Sequence, residues 1–160
     1  MAKTIVAGLT VAAVFAIAQI DLKRSESGAE ASAIGSLRAI SSAQAIHAGA
    51  YGAYARSLRA LSTPCPGVST GFVSPDLGRD PAIKVGYEIR LHPAPPSADR
   101  RDCHGEPMAT GYHATAVPMQ RSGGAARAFA VDQSQIIWVD ETGVAPTPPF
   151  RETLTVRPLQ

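Results

Sequence analysis

The feature that most constrains this chain is where its prolines fall. None occurs before Pro64, and they are frequent after it. Proline lacks a backbone donor and clashes inside a helix, so its absence leaves the first part of the chain free to form one uninterrupted helix. The first break is plain: Ser62-Thr63-Pro64-Cys65-Pro66-Gly67. The chain thus divides into a helix-permissive half and a turn-rich half, within the size range of one domain.

The helix-permissive half itself changes character at Ile20. From Thr4 to Ile20 the sequence TIVAGLTVAAVFAIAQI carries no charge, with Lys3 before it and Asp21, Lys23 and Arg24 after it. A bilayer needs about 20 apolar residues in a helix, with a lower limit near 17. Three readings stay open: a retained membrane helix, a secretory signal cut after Ala16-Ile17-Ala18, or a buried core helix. The first two imply export, and in an oxidising compartment Cys65 and Cys103 would pair. Closing that loop contributes roughly 3–4 kcal/mol on a chain-entropy basis.

From Asp21 onward the pattern is amphipathic. Ile34, Leu37 and Ile40, then Tyr51, Tyr54, Leu58 and Leu61 recur in steps of three and four, the spacing of one helical face. Alanine fills many of the other positions and favours helix. Ser27 and Glu30 have the spacing of a capping box but lie inside a helix-compatible run, and read as surface. Gly28, Gly35, Gly49 and Gly52 each cost about 1 kcal/mol relative to alanine and mark bends or close packing. The expectation is a helix from about residue 4 to residue 61, about 85 Å long at 1.5 Å per residue. That is longer than one small head can cover, and a small-residue-rich helix of this kind suits bundling with copies of itself.

Beyond Pro64, residues 84–91 (KVGYEIRL) and 112–117 (YHATAV) alternate apolar and polar side chains, as half-buried strands do. Residues 128–131 and 136–139 supply two more strand segments, and Asp132-Gln133-Ser134 is short enough for a hairpin turn. Pro93 to Gly105 reads as a polar loop able to reach back to Cys65. The fold class expected is α+β: a long N-terminal helix packed against a small four-stranded antiparallel sheet. Its segments are residues 1–20 (membrane-spanning start or signal), 21–62 (amphipathic continuation) and 63–160 (β-rich head).

These residues carry a family likeness. Glu30-Ala31-Ser32-Ala33-Ile34-Gly35-Ser36-Leu37-Arg38-Ala39-Ile40, continuing to Ser42-Ala43-Gln44, resembles the post-membrane helix of type IV pilin-like proteins, a subgroup of which carries NEASAIGSLRTINTAQ. Tyr51-Gly52-Ala53-Tyr54-Ala55 with Ser57, Leu58 and Leu61 is similar to that group's next stretch. Gly111-Tyr112 through Ala116-Val117-Pro118 resembles its GYTVTAVP strand, and Ala126 to Ser134 its RSFFVDQSG segment. Thr142-Gly143 and Pro148-Pro149 match its endings. The likeness runs in order from about Leu22 to Pro149. In two places the chain departs from the family: Met1–Leu9 holds neither the Gly-Phe pair of the processing site nor the Glu that follows it, and Gln19 stands where the membrane segment has proline.

The resemblance implies a structural subunit of a type IV pilus or type II secretion pseudopilus. It would sit in the inner membrane with an extracytoplasmic head, and after assembly in a surface filament or the periplasm. The implied partners are copies of itself, an assembly ATPase, a platform protein and a prepilin peptidase. Helix packing and assembly are expected to use Val6, Leu9, Val14, Ile34, Leu37, Ile40, Tyr51, Tyr54 and Leu58. The family often pins a head loop with a disulfide, here Cys65 and Cys103. The alternative from another class is a soluble exported binding module starting at Gln19.

No constellation points to catalysis, a metal or a cofactor. His47, His92, His104 and His113 lack carboxylates or cysteines at ligand spacing, and His104 is a lone neighbour of Cys103. His47 reads as surface or packing. Asp99-Arg100-Arg101-Asp102 reads as a solvated mixed-charge loop. Gly49/Gly52 and Gly123-Gly124 lack the Lys-Ser/Thr of a phosphate loop, and no Gly-x-Ser-x-Gly elbow occurs. A net charge of +2 without a basic stripe gives no support for direct nucleic-acid binding.

Overall fold

The computed structural model describes the backbone of residues 6–120 and 126–159, and the side chains within them from residue 27 onward. One helix, α1 (Val6–Tyr51), occupies the N-terminal part. Its 46 residues span about 69 Å at 1.5 Å per residue. It ends ten residues before the expected Leu61. Gly52 adopts φ +80° and its N–H bonds to Ala48 O at 2.8 Å, the left-handed close of a helix that glycine adopts without steric penalty. The chain bends at Ala53, Tyr54 makes an isolated antiparallel bridge, and a separate turn of helix, α2 (Leu58–Ser62), follows. Its start is capped by Ser57 Oγ, which accepts from Ala60 N at 3.0 Å.

The sheet corrects the expectation of four strands. Six strands form one antiparallel sheet in the order β1 (Ala82–Lys84), β2 (Tyr87–Pro93), β5 (Tyr112–Pro118), β6 (Ala128–Asp132), β7 (Ile137–Asp140), β8 (Val156–Pro158). A second, two-stranded sheet, β3 (Pro96–Arg101) with β4 (Pro107–Ala109), interrupts the passage from β2 to β5. The class stays α+β. The run expected as one strand from Lys84 to Leu91 is a hairpin, because Val85 (φ 47°) and Gly86 (φ 78°) make a two-residue turn. β8 ends in proline, which suits an edge strand and weakens its pattern. β3 is polar and proline-led, and so resembles a loop in sequence.

Strand alternation sorts the side chains to two faces. Tyr87, Ile89 and Leu91 of β2, Ala114 and Ala116 of β5, Phe129 and Val131 of β6, and Ile137 and Val139 of β7 join one core with Ala33, Leu37, Ile40 and Ala43 of α1. Leu58, Leu61, Val73 and Leu77 close it at the end of α2. Gly71 is required there: a Cβ on it would fall 2.2 Å from Ser62 O. The opposite face carries Glu88, Arg90 and His92 of β2 and His113 of β5.

The membrane or signal segment expected at residues 1–20 lies outside the described side chains, as do Val6, Leu9 and Val14. The Gly123-Gly124 pair lies outside the described residues. No helix among the described residues is long and apolar enough to cross a membrane.

Candidate functional site

Chemistry-bearing residues gather at two ends of the head. At the first, Glu30 of α1 meets Arg127, just before β6. Arg127 Nη2 donates to Glu30 Oε2 at 2.6 Å, its Nε donates to both carboxylate oxygens at 3.2 Å, and its backbone N–H to Oε1 at 3.2 Å. Arg127 also lies 5.7 Å from the Phe129 ring centroid and 3.9 Å from Glu141, which pairs with Arg157 of β8 at 2.8 Å. Glu30, expected at the surface, is therefore a half-buried clamp between the helix and the sheet. A forked arginine–carboxylate pair fixes geometry as well as charge.

At the second end, Gln44 is fully buried and replaces a neighbouring strand for Ala55. Its Oε1 accepts from Ala55 N at 2.8 Å, and its Nε2 donates to Ala55 O at 2.9 Å. Tyr54 exchanges backbone bonds with Ala109 of β4 at 3.0 and 2.8 Å. The link between α1 and α2 is thus held by a helix on one side and by the β3–β4 hairpin on the other. His47, one turn beyond Gln44, is 2% exposed; its Nδ1 lies 3.1 Å from Ala53 O, and its ring packs against Tyr51 and Phe72. Burial lowers the pKa of His47, opposed by its backbone bond and by Asp102. His47 is a packing residue. Tyr54 packs on Tyr112, whose hydroxyl donates to Asp132 O at 3.2 Å. Burial pushes the Tyr112 hydroxyl up to about 12.

Cys65 and Cys103 form a disulfide that ties the segment after α2 to the β3–β4 turn, with the Tyr51 hydroxyl 3.1 Å from the Cys65 sulfur. His104 lies close to both sulfurs. Bonded to each other, the sulfurs offer no thiolate, so this trio does not fit a metal ion. On the open sheet face, His92 and His113 stack with ring centroids 4.4 Å apart, and His92 Nε2 lies 3.1 Å from Thr115 Oγ1. Burial lowers the pKa of both rings, opposed by Asp80 and reinforced by Arg90 at His92, and reinforced by His92 and opposed by Asp132 at His113.

The expected packing residues divide. Leu37, Ile40 and Leu58 are fully buried in the core of this chain, Ile34 and Tyr54 pack at its border, and Tyr51 lines the His47 cluster. None of the three core residues is open to a second subunit. The open face of α1 holds Gly28, Gly35, Ser42 and Gly49 at a spacing of seven, with Ala31, Ala45 and Ile46 beside them. A Cβ at Gly28, Gly35 or Gly49 would meet nothing within 4 Å.

Sequence reasoning missed the Glu30–Arg127 clamp and the Gln44–Ala55 pin. The first joins α1 to the residue before β6, and the second joins α1 to the link before α2. No protein-family model, curated protein or solved structure matches this chain.

Proposed function

We propose that this chain is a non-catalytic subunit of a pilin-like filament, of the type IV pilus or type II secretion pseudopilus kind. It is held in the inner membrane by its N-terminal apolar run and assembles through α1. The observation that supports this most is the open face of the helix. Three exposed glycines cost helix stability without filling any need of the head, since each has room for a side chain. Glycine at seven-residue spacing lets a second helix approach closely, as small residues do where helices pack in membranes. The sequence likeness points the same way.

Two measurements test the proposal. N-terminal sequencing of the exported protein should find no mature start at Gln19; such a start would remove the anchor and leave a soluble module. Single cysteines at residue 35 or 42, introduced in cells, should give oxidant-dependent disulfide-linked dimers, and the two together a ladder of multimers. The same substitution on the open sheet face, at residue 90, should not. Dimers from residue 90 alone would move the assembly surface off the helix.

A further inference from the structure

A cleft of about 660 Å³ lies between α2 and the disulfide-bearing hairpin, within the size range of small-molecule sites. Arg56 and Arg59 stand on the α2 side, and Asp102 and Glu106 on the hairpin side; Met108 and Ala60 contribute apolar surface. Both walls are held in place. Gln44 fixes Ala55 with two hydrogen bonds, Tyr54 is paired to Ala109, and the Cys65–Cys103 bond fixes the hairpin. Asp102 is itself oriented, because its Oδ1 accepts the His104 and Glu106 N–H groups at 2.8 and 2.9 Å.

One group in this frame is not accounted for by the fold. Arg56 Nη1 is buried and has no hydrogen-bond partner, the one such side-chain atom among the described residues. A buried charged donor without an acceptor is costly, and native structures keep few of them. Arg59 makes no ion pair among the described residues either. A carboxylate entering beside Arg59 would supply that acceptor with charge-assisted hydrogen bonds once the Arg56 side chain turns its buried Nη1 toward the cleft.

The opposite wall narrows the class of ligand. Asp102 and Glu106 balance the two arginines, so the four side chains carry no net formal charge. A phosphate dianion would gain from one wall and be repelled by the other. A dipolar molecule, negative at one end and positive at the other, matches both. The volume exceeds what a single ion fills. We infer that this cleft binds the free ends of a short peptide, with its carboxylate at Arg56 and Arg59 and its ammonium at the Asp102–Glu106 wall. This goes beyond the filament reading and does not depend on it.

Titration calorimetry of the full-length protein in detergent, with trialanine as probe, tests the inference. Saturable binding is expected, weakened about tenfold or more by amidation of the peptide carboxylate and to a smaller degree by N-acetylation. Arg56→Gln should abolish binding. Because that variant alters a half-buried site, Arg59→Gln at an exposed position serves as the second, with an expected loss of about threefold or more. Glu106→Gln should weaken trialanine and leave N-acetyl-trialanine unchanged. No saturable binding up to about 10 mM, equal affinity for the amidated peptide, or inorganic phosphate displacing trialanine at equal concentration would each overturn it.

Discussion

The two faces of α1 obey different rules. The inward face carries Ala33, Leu37, Ile40, Gln44 and His47, and every one of them is buried against the sheet or the α1–α2 link. The outward face carries Gly28, Gly35, Ser42 and Gly49, and among the described residues nothing lies within 4 Å of where a Cβ would stand on the three glycines. Both faces have helical spacing in the sequence. The difference is what each is made to touch: large side chains and one polar pin inside, the smallest side chains outside. Periodicity finds the inward face because burial rewards size. An outward face made of glycine buries nothing in the head, and under the proposed function it is where a second helix would approach.

Leu37→Ala should give the largest effect. The side chain is fully buried, and its truncation leaves a cavity beneath the helix. A loss of about 2–5 kcal/mol is expected in urea unfolding followed by circular dichroism. A loss below about 1 kcal/mol would mean that the helix rests on the sheet loosely, and the contrast between faces would collapse.

Gln44→Ala comes next. It removes only one methylene of apolar surface, but leaves the Ala55 N–H and C=O without partners in the interior. Each unsatisfied group costs about 1–3 kcal/mol, so the change should approach that of Leu37→Ala. The variant should also raise hydrogen exchange at Ala55 above that at Leu37. Equal exchange at both would show that Gln44 is a packing residue like its apolar neighbours and not a pin for the link.

These two residues also show what the sequence discloses. Leu37 is visible from spacing alone, as are β2, β5, β6 and β7 and the turn between β6 and β7. The helix end is present as Gly52 but ambiguous, because a glycine inside a helix and one that closes it look alike until the following residues are seen to pair with β4. β1 is hidden by continuity with β2, since Val85-Gly86 lacks the usual turn residues. β3 and β8 are hidden by proline and polarity at a sheet edge. Gln44, Arg56 and the Glu30–Arg127 pair depend on contacts between distant segments, and no local pattern marks them. The disulfide partners were countable, and their place beside the cleft was not.

The third effect is a dependence on pH. His47, His92 and His113 all have pKa values lowered by burial below the usual histidine value. The unfolded chain therefore takes up protons first as pH falls through about 6.5. The stability tied to the neutral rings is complete above that value and declines as pH drops from there through the lowered folded values. Urea midpoints should fall between pH 7.5 and pH 5.5. His47→Leu tests the inward face, and the double variant His92→Gln/His113→Gln tests the open sheet face. Each should flatten part of the slope. A slope unchanged in both would assign the pH response to carboxylates instead.

The smallest effect is the one that separates the two faces most sharply. Gly35→Ala adds a methyl group where nothing lies within 4 Å, in the middle of a helix. In the isolated subunit it should raise stability by up to about 1 kcal/mol, the helix preference of alanine over glycine. In a filament, the same methyl group would stand between two helices and hold them apart, so assembly should weaken while the subunit becomes more stable. Urea unfolding of the detergent-solubilised subunit and cross-linking yield in cells read the two quantities independently. Opposite signs would tie the outward face to self-association. A gain in stability with unchanged cross-linking would leave Gly35 as an ordinary exposed glycine, and the assembly surface would have to be sought elsewhere on the helix.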